Sequence, residues 1–349
     1  MGQVQSLLKF ASERGASDLH LIPGAPPVLR INGQVSPLNL TGNVLADTEE
    51  LAKSLLSQEQ LAELHAQRHL GFSFFLPELG RFRVEAFFNM GRIGVAIRLS
   101  TLGMPSLEEL GTPPVLETIC RHPNGLILVT GPTGAGKTTT LTAMVDFINR
   151  ERACKIVTIE DPIEYVHKNK RSIIVQQELH SDTPSFSTAL IHVLRQDPDV
   201  VVVGEMRSLD TIQTAITAAE TGHLVMATLH TVNAAQTVDR IIDVFPAHQQ
   251  TQIRVQLAAC LQAIVSQRLL PNVDGTGRVL AYEVLLNTPA VKNIVREQKV
   301  QQLQSTMQAA GQMGMCTMDA CVVRLYHEGV ITYDTAMDHV ENKKALSKV

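Results

Sequence analysis

From about residue 112 the apolar positions gather into short unbroken runs, GLILVT, KIVTIE, DVVVVGE and LVMATLH. Between them apolar residues recur every three to four positions. Leu141, Met144, Val145 and Ile148 follow the i, i+3, i+4, i+7 spacing of one helical face. Ile212, Ile216 and Ala219 repeat it, and Gly222 stands where a helix-closing residue belongs. Strands that are apolar on both faces, alternating with amphipathic helices, predict a mostly parallel sheet covered on both sides. Beyond Ala247 the pattern reads mainly as helices, with one strand pair near GRVLAYEVLL.

Residues 1–100 have a different texture. Leu7, Leu8, Phe10 and Ala11 give one short helical face. VLRI and QVSPL flank Asn32-Gly33, the pair that tolerates the positive φ angles of a type I′ hairpin turn. LADTEELAKSLLSQEQLAELH reads as helical throughout. GRFRVEAFFN alternates: Phe82, Val84, Ala86 and Phe88 point one way, Arg81, Arg83 and Glu85 the other. Past a turn near Asn89–Gly91, Ile93, Val95, Ile97 and Leu99 take the apolar face, and Arg92 and Arg98 the polar one. TLGMPSLEELGTPP reads as a linker. The expected organisation is an α+β domain over 1–100, a linker over 101–111 and an α/β domain over 112–349.

Composition narrows the class. The 349 residues are 44% hydrophobic and 18% charged, with a formal net charge of −4, as in a soluble globular protein with ample core. That balance does not mark an electrostatic nucleic-acid binder. Five cysteines without a C-x-x-C pair argue against a disulfide framework or a zinc ribbon. No window approaches the roughly 18 apolar residues of a membrane span, so a cytoplasmic location is the default.

The chemistry enters where GLILVT runs into GPTGAGKTTT. This is G-x-x-x-x-G-K-[ST] between a strand and an amphipathic helix. Its glycines let backbone amides curl around phosphates, and the helix start adds positive potential. The nucleotide-binding candidates are Gly131, Pro132, Thr133, Gly134, Ala135, Gly136, Lys137, Thr138 and Thr139. Lys137 would reach the β- and γ-phosphates of ATP, and the Thr138 hydroxyl would take Mg²⁺. DPDVVVVGEMRS leads a buried strand to Glu205, because ligands of such sheets lie beyond the carboxyl ends of the strands. VTIEDPIEY adds Glu160, Asp161 and Glu164. The base that activates water is left open between Glu205 and Glu164, both also candidates at the metal, with Glu160 assisting. GHLVMATLH places His223 and His230 at the two ends of one strand, where a neutral imidazole can report a γ-phosphate.

GPTGAGKTTT, TIEDPIEY, DPDVVVVGEMRS and ETGHLVMATLHTVNAAQTVDRIIDVFP resemble, in order, the Walker A, Asp-box, Walker B and His-box segments of the type II/IV secretion ATPases. SDLHL and GRFRV also look like that family. The chain begins at the small domain and lacks a tetracysteine insert. TPAVKNIVREQKV resembles the motif associated with type IV pilus retraction, with Lys292 and Arg296 four apart and Thr288 and Pro289 as helix cap and first residue. The resemblance implies a RecA-like core, a small PAS-like domain and a helical C-terminal extension. It further implies a hexameric ring with ATP between the two domains of one chain, and with a neighbour's small domain nearby. By the same resemblance Arg81, Arg83 and Arg98 supply charge to the phosphates, Arg92 less clearly, and His223 rather than His230 senses the γ-phosphate. The partners implied are a PilC-like inner-membrane platform protein and, indirectly, pilin, with the motor peripheral to the membrane. An accessory retraction ATPase and an assembly or secretion ATPase are the neighbouring alternatives. A nucleotide-binding regulator with little turnover is the alternative from another class.

Overall fold

Two sheets organise the chain, one in each of two units. The computed structural model describes residues 2–31, 34–38, 48–76, 79–99, 104–275 and 277–346. The smaller unit comprises Met1–Gly103 together with Pro162–Val166, and the larger comprises Met104–Asp161 and His167–Val349.

The smaller unit is built on an antiparallel sheet of β1 (Asp18–Leu21), β2 (Val28–Ile31), β3 (Gln34–Pro37), β4 (His69–Leu76), β5 (Gly80–Asn89) and β6 (Arg92–Leu99), in the order β3-β2-β1-β6-β5-β4. Period-two alternation sends Phe82, Val84, Ala86, Ile93, Val95 and Ile97 into a core shared with Val4, Leu8 and Ala11 of the helix Gly2–Glu13. The β5–β6 connection is a two-residue turn in which Met90 and Gly91 both have positive φ, 52° and 81°, as a type I′ turn requires. The Asn32-Gly33 turn lies outside the described residues; the strands that flank it pair antiparallel, with Ile31 opposite Gln34.

The single helix expected from LADTEELAKSLLSQEQLAELH is instead two, Thr48–Lys53 and Gln58–Gln67, with Leu45–Asp47 outside the described residues. Ser57 starts the second one. Its side chain accepts from the Gln60 N–H while the Gln60 side chain accepts from the Ser57 N–H. This reciprocal cap satisfies first-turn donors that a continuous helix would have bonded internally.

The larger unit carries β7 (Gly125–Thr130), β8 (Lys155–Glu160), β9 (Ile173–Glu178), β10 (Val200–Val203), β11 (Leu224–Leu229), β12 (Leu261–Pro271) and β13 (Arg278–Leu286), in the order β13-β12-β7-β11-β10-β8-β9. Every pairing is parallel except that of β13 with β12. The four valines of β10 divide between two cores: Val201 and Val203 join one, Val200 and Val202 the other. Burial on both faces is why the strand shows no polar alternation.

The strand pair expected near GRVLAYEVLL is β12 with β13, and β12 follows the helix Ala247–Cys260 without a loop. Ile173–Glu178, which ends in polar residues, was not expected, nor were β1 and β4 in the smaller unit. Residues 104–111, expected as linker, group with the larger unit, where Leu107 is buried beside Leu116 and Ile119. The helices Pro289–Arg296, Leu303–Ala309, Met318–His327 and Tyr333–His339 follow β13. All five cysteines are free thiols.

Candidate active site

The glycine-rich loop leaves the carboxyl end of β7 in a conformation that side chains resist. Gly131 has φ 145°, and a Cβ there would stand 2.4 Å from the Gln267 carbonyl oxygen. Gly134 and Gly136 have φ 79° and 84°. The loop is anchored from below. Thr130 and Ser266 join hydroxyls at 2.9 Å, and the buried Gln267 amide donates to Thr140 Oγ1 at 2.8 Å. Pro132, Thr133 and Gly134 are exposed while Ala135 is buried. No side chain caps the helix Lys137–Glu151, whose N-cap is Gly136, so no cap takes its first-turn N–H groups. Lys137 Nζ donates to the Gly131 and Pro132 carbonyls at 2.8 and 3.0 Å. Burial lowers the Lys137 ammonium from its ordinary range, against the opposing pull of Glu205. A glycine-turned loop, a helix start without a side-chain cap and a half-buried ammonium fit a polyphosphate. Thr138 and Thr139 are half-buried in the first turn, and Thr138 is the hydroxyl that would take a cation.

Glu205 lies two residues past β10, one strand removed from the P-loop strand. Gly204 precedes it because space is short: a Cβ there would be 3.0 Å from the Ile159 carbonyl oxygen and 3.3 Å from Glu160 Cα. The Met206 N–H donates to the Thr228 carbonyl at 3.1 Å, and the Thr228 hydroxyl donates to the Gly204 carbonyl, which fixes the turn that carries the acid. His230 Nε2 is 3.0 Å from Glu205 Oε1, and its Nδ1 is 3.5 Å from Lys137 Nζ. Arg207 Nε donates to the same carboxylate oxygen. Lys137, His230 and Glu205 therefore form one connected set at the P-loop. Burial pushes the Glu205 carboxyl up, but the Arg207 hydrogen bond and the His230 and Arg207 charges outweigh it and leave it below its ordinary range.

His223 is at the other end of the sheet. It precedes β11, in which Leu224 pairs with Gly125 and Leu229 with Thr130, so the P-loop follows the opposite end of these strands. Seven residue steps separate His223 from His230, about 20 Å of extended chain. His223 Nδ1 contacts the Ala218 carbonyl at 3.1 Å, which ties the ring to the end of the helix Leu209–Glu220. Within one chain the imidazole at the P-loop is that of His230, the reverse of the preference expected between the two.

The remaining acids and the arginines are distributed as follows. Glu160 ends β8 and accepts from Thr158 Oγ1 at 2.6 Å and Gln176 Nε2 at 2.9 Å. Asp161 is exposed. Glu164 belongs to Pro162–Val166, which groups with the smaller unit. Arg83 and Arg98 face one another across β5 and β6, and Asp18 faces Arg98 across β1 and β6. Arg98 Nε donates to Asp18 Oδ1 at 3.0 Å, and Arg83 pairs with Glu85 at 3.2 Å. Arg81 shares their sheet face two residues before Arg83. Arg92 is engaged by Glu49 at 2.7 Å, on the helix Thr48–Lys53, which gives it a structural task. Arg207 escaped sequence reasoning; its one signal was its place two residues after Glu205 in a turn.

The family described as Type II/IV secretion system protein matches residues 90–337. The chain is 44% identical to the type IV pilus retraction ATPase PilT of Pseudomonas aeruginosa, over 96% of this chain and 97% of that one. It is 39% identical to the type IV pilus ATPase PilU of the same organism, over 99% and 90%. A crystal structure of the pilus retraction motor PilT with bound ADP superposes with a TM-score of 0.91 at 46% identity, covering 99% of this chain and 98% of that one. With a P-loop between strand and helix, a strand-end carboxylate beside it and a match of this length, the chain belongs to the type II/IV secretion ATPase family.

Proposed function

We propose that this chain is a Mg²⁺-dependent ATP hydrolase working as a hexameric type IV pilus retraction motor. The observation that carries the hydrolytic reading is the set Lys137–His230–Glu205, gathered by three strand ends at 3.5 and 3.0 Å. Lys137 holds phosphate oxygens, and the loop amides hold the rest of the tail. Glu205, kept ionised by Arg207 and His230, accepts a proton from the attacking water and orients it. His230 fixes the carboxylate's rotamer and links it to Lys137. Thr138 would hold Mg²⁺, which neutralises charge building on the phosphoryl oxygens. Glu160 and Glu164 are further candidates near the cation, and Arg81, Arg83 and Arg98 for the phosphate charge.

Retraction is the favoured direction because the retraction ATPase PilT is matched over nearly the whole chain, and because the helix Pro289–Arg296 keeps Lys292 and Arg296 exposed over a buried Val291, Ile294 and Val295. The platform protein and pilin are the partners this reading requires, and it places the motor at the cytoplasmic side of the inner membrane. Among the described residues no helix is long and apolar enough to cross a membrane.

Glu205→Ala tests both parts. In vitro it should abolish Mg-ATP turnover while nucleotide still binds; unchanged turnover overturns the assignment of the base. In a pilus-bearing cell relying on this chain, it should leave excess surface pili without surface motility. Loss of pili would instead mark an assembly motor.

A further inference from the structure

Glu283 is a buried acid that the hydrolytic reading leaves without a task, 5% exposed and one strand beyond the neighbour of the P-loop strand. It belongs to a row that crosses the sheet at the catalytic edge. Glu283 on β13 faces Ser266 on β12, Ser266 faces Thr130 on β7, and Thr130 faces Leu229 on β11. Thr130 is the last strand residue before the P-loop, and Leu229 is the last before His230.

A carboxylate at that depth requires hydrogen-bond donors. Glu283 takes them from two helix starts. Oε1 accepts from the Ala234 N–H at 2.7 Å, and Oε2 from the Met318 N–H at 3.5 Å. Both are first-residue donors with no partner inside their own helices, Ala234–Asp243 and Met318–His327. The caps Asn233 and Thr317 serve Gln236 and Ala320 instead, so the carboxylate answers groups the caps do not reach. Only residues 230–233 separate Leu229, held in the sheet, from Ala234, held by Glu283. A Thr231–Thr237 hydroxyl contact at 2.6 Å braces the same short loop from the helix side.

We propose that Glu283 is a positioning residue for hydrolysis. By anchoring the start of the helix Ala234–Asp243 it holds the His230 loop so that the imidazole meets Glu205 and Lys137, and it ties that setting to the C-terminal helix Met318–His327. This rests on the hydrolase reading above.

The test is a double-mutant cycle on the full chain. Glu283→Gln keeps the size but turns an N–H₂ toward one of the two backbone donors. Expected is a fall in kcat of about tenfold or more, with binding of a fluorescent ATP analogue within about twofold of the parent. On a His230→Ala background the same change should lower kcat by less than about twofold, because the imidazole through which it acts is gone. Losses that multiply in the double variant, or Glu283→Gln turning over like the parent, overturn the proposal. If Glu283→Gln does not fold, Asn233→Ala loosens the same helix start from an exposed-side cap and should show the same dependence on His230; independence there overturns it equally. A parent protein without Mg-ATP turnover would be a failure of the hydrolase reading, and it would be seen before any variant is made.

Discussion

His230 and His223 are the same residue type at the two ends of one strand, and only one of them is at the P-loop. An imidazole 3.0 Å from Glu205 holds that carboxylate in one rotamer and adds charge when protonated. Removing it should cost the orientation of the base and leave the amide cradle intact. His230→Ala is therefore expected to lower Mg-ATP turnover by about 10- to 100-fold while nucleotide binding changes little. His223→Ala should leave Glu205's environment unchanged, so titration of the isotopically labelled Glu205 carboxyl by NMR should move only in the first variant. An equal shift in both would break the connection drawn here. Gly131 offers a steric counterpart. Its φ of 145° and the 2.4 Å approach of the Gln267 oxygen leave no room for a methyl group. Gly131→Ala should destabilise the larger unit by about 1–3 kcal/mol from backbone strain alone and weaken nucleotide binding, read by denaturant titration and by ligand titration.

At the scale of elements, the sequence disclosed most where one pattern persisted along a whole segment. GLILVT, KIVTIE, DVVVV and LVMATL each hold a run of aliphatic residues broken at most by threonine, and each run lies in a strand of the larger sheet. The Thr288 cap and Pro289 mark their helix as written. What stayed hidden has local physical causes. β9, at the edge of the sheet, ends in Gln176, Gln177 and the buried Glu178, and Gln176 is used to hold Glu160, so its polar end hides the strand from an apolar pattern. β12 shares a continuous apolar run with the preceding helix, so periodicity cannot mark the changeover at Leu261. The P-loop and Glu205 beside it were legible, because strand ends can be counted, whereas Glu160 is held by Thr158 and Gln176 instead. The choice between two histidines was not, because it depends on which end of β11 meets the P-loop.

The short segment from β8 to β9 carries a prediction of its own. His167 is mostly buried and its Nδ1 has no hydrogen-bond partner. Burial lowers its pKa to about 4, with Lys170 adding to the fall and Asp146 opposing it. A histidine that folds neutral gives its full stability above the unfolded value near 6.5 and loses it as pH falls toward 4. This one group should account for about 3 kcal/mol of acid destabilisation of the larger unit between those limits. His167→Gln should flatten that part of the stability–pH curve measured by denaturant titration. A curve of unchanged slope would show that the imidazole titrates freely in the folded chain.

For the whole molecule, whether the proposed ring works as one machine can be asked by mixing copies. Doping separates a coupled ring from six independent enzymes. Glu205→Ala copies doped equally into the parent leave half the sites intact, and independent sites would keep about half the turnover. If each copy must fire before the next can, only rings free of dead copies run, about one in sixty-four for a six-membered ring. A steep, far-below-linear loss of turnover with dopant fraction is the expected result, since withdrawing one subunit after another from a loaded filament demands that no step be skipped. A straight-line decline would leave the hydrolase in place and remove the coupling that makes it a motor.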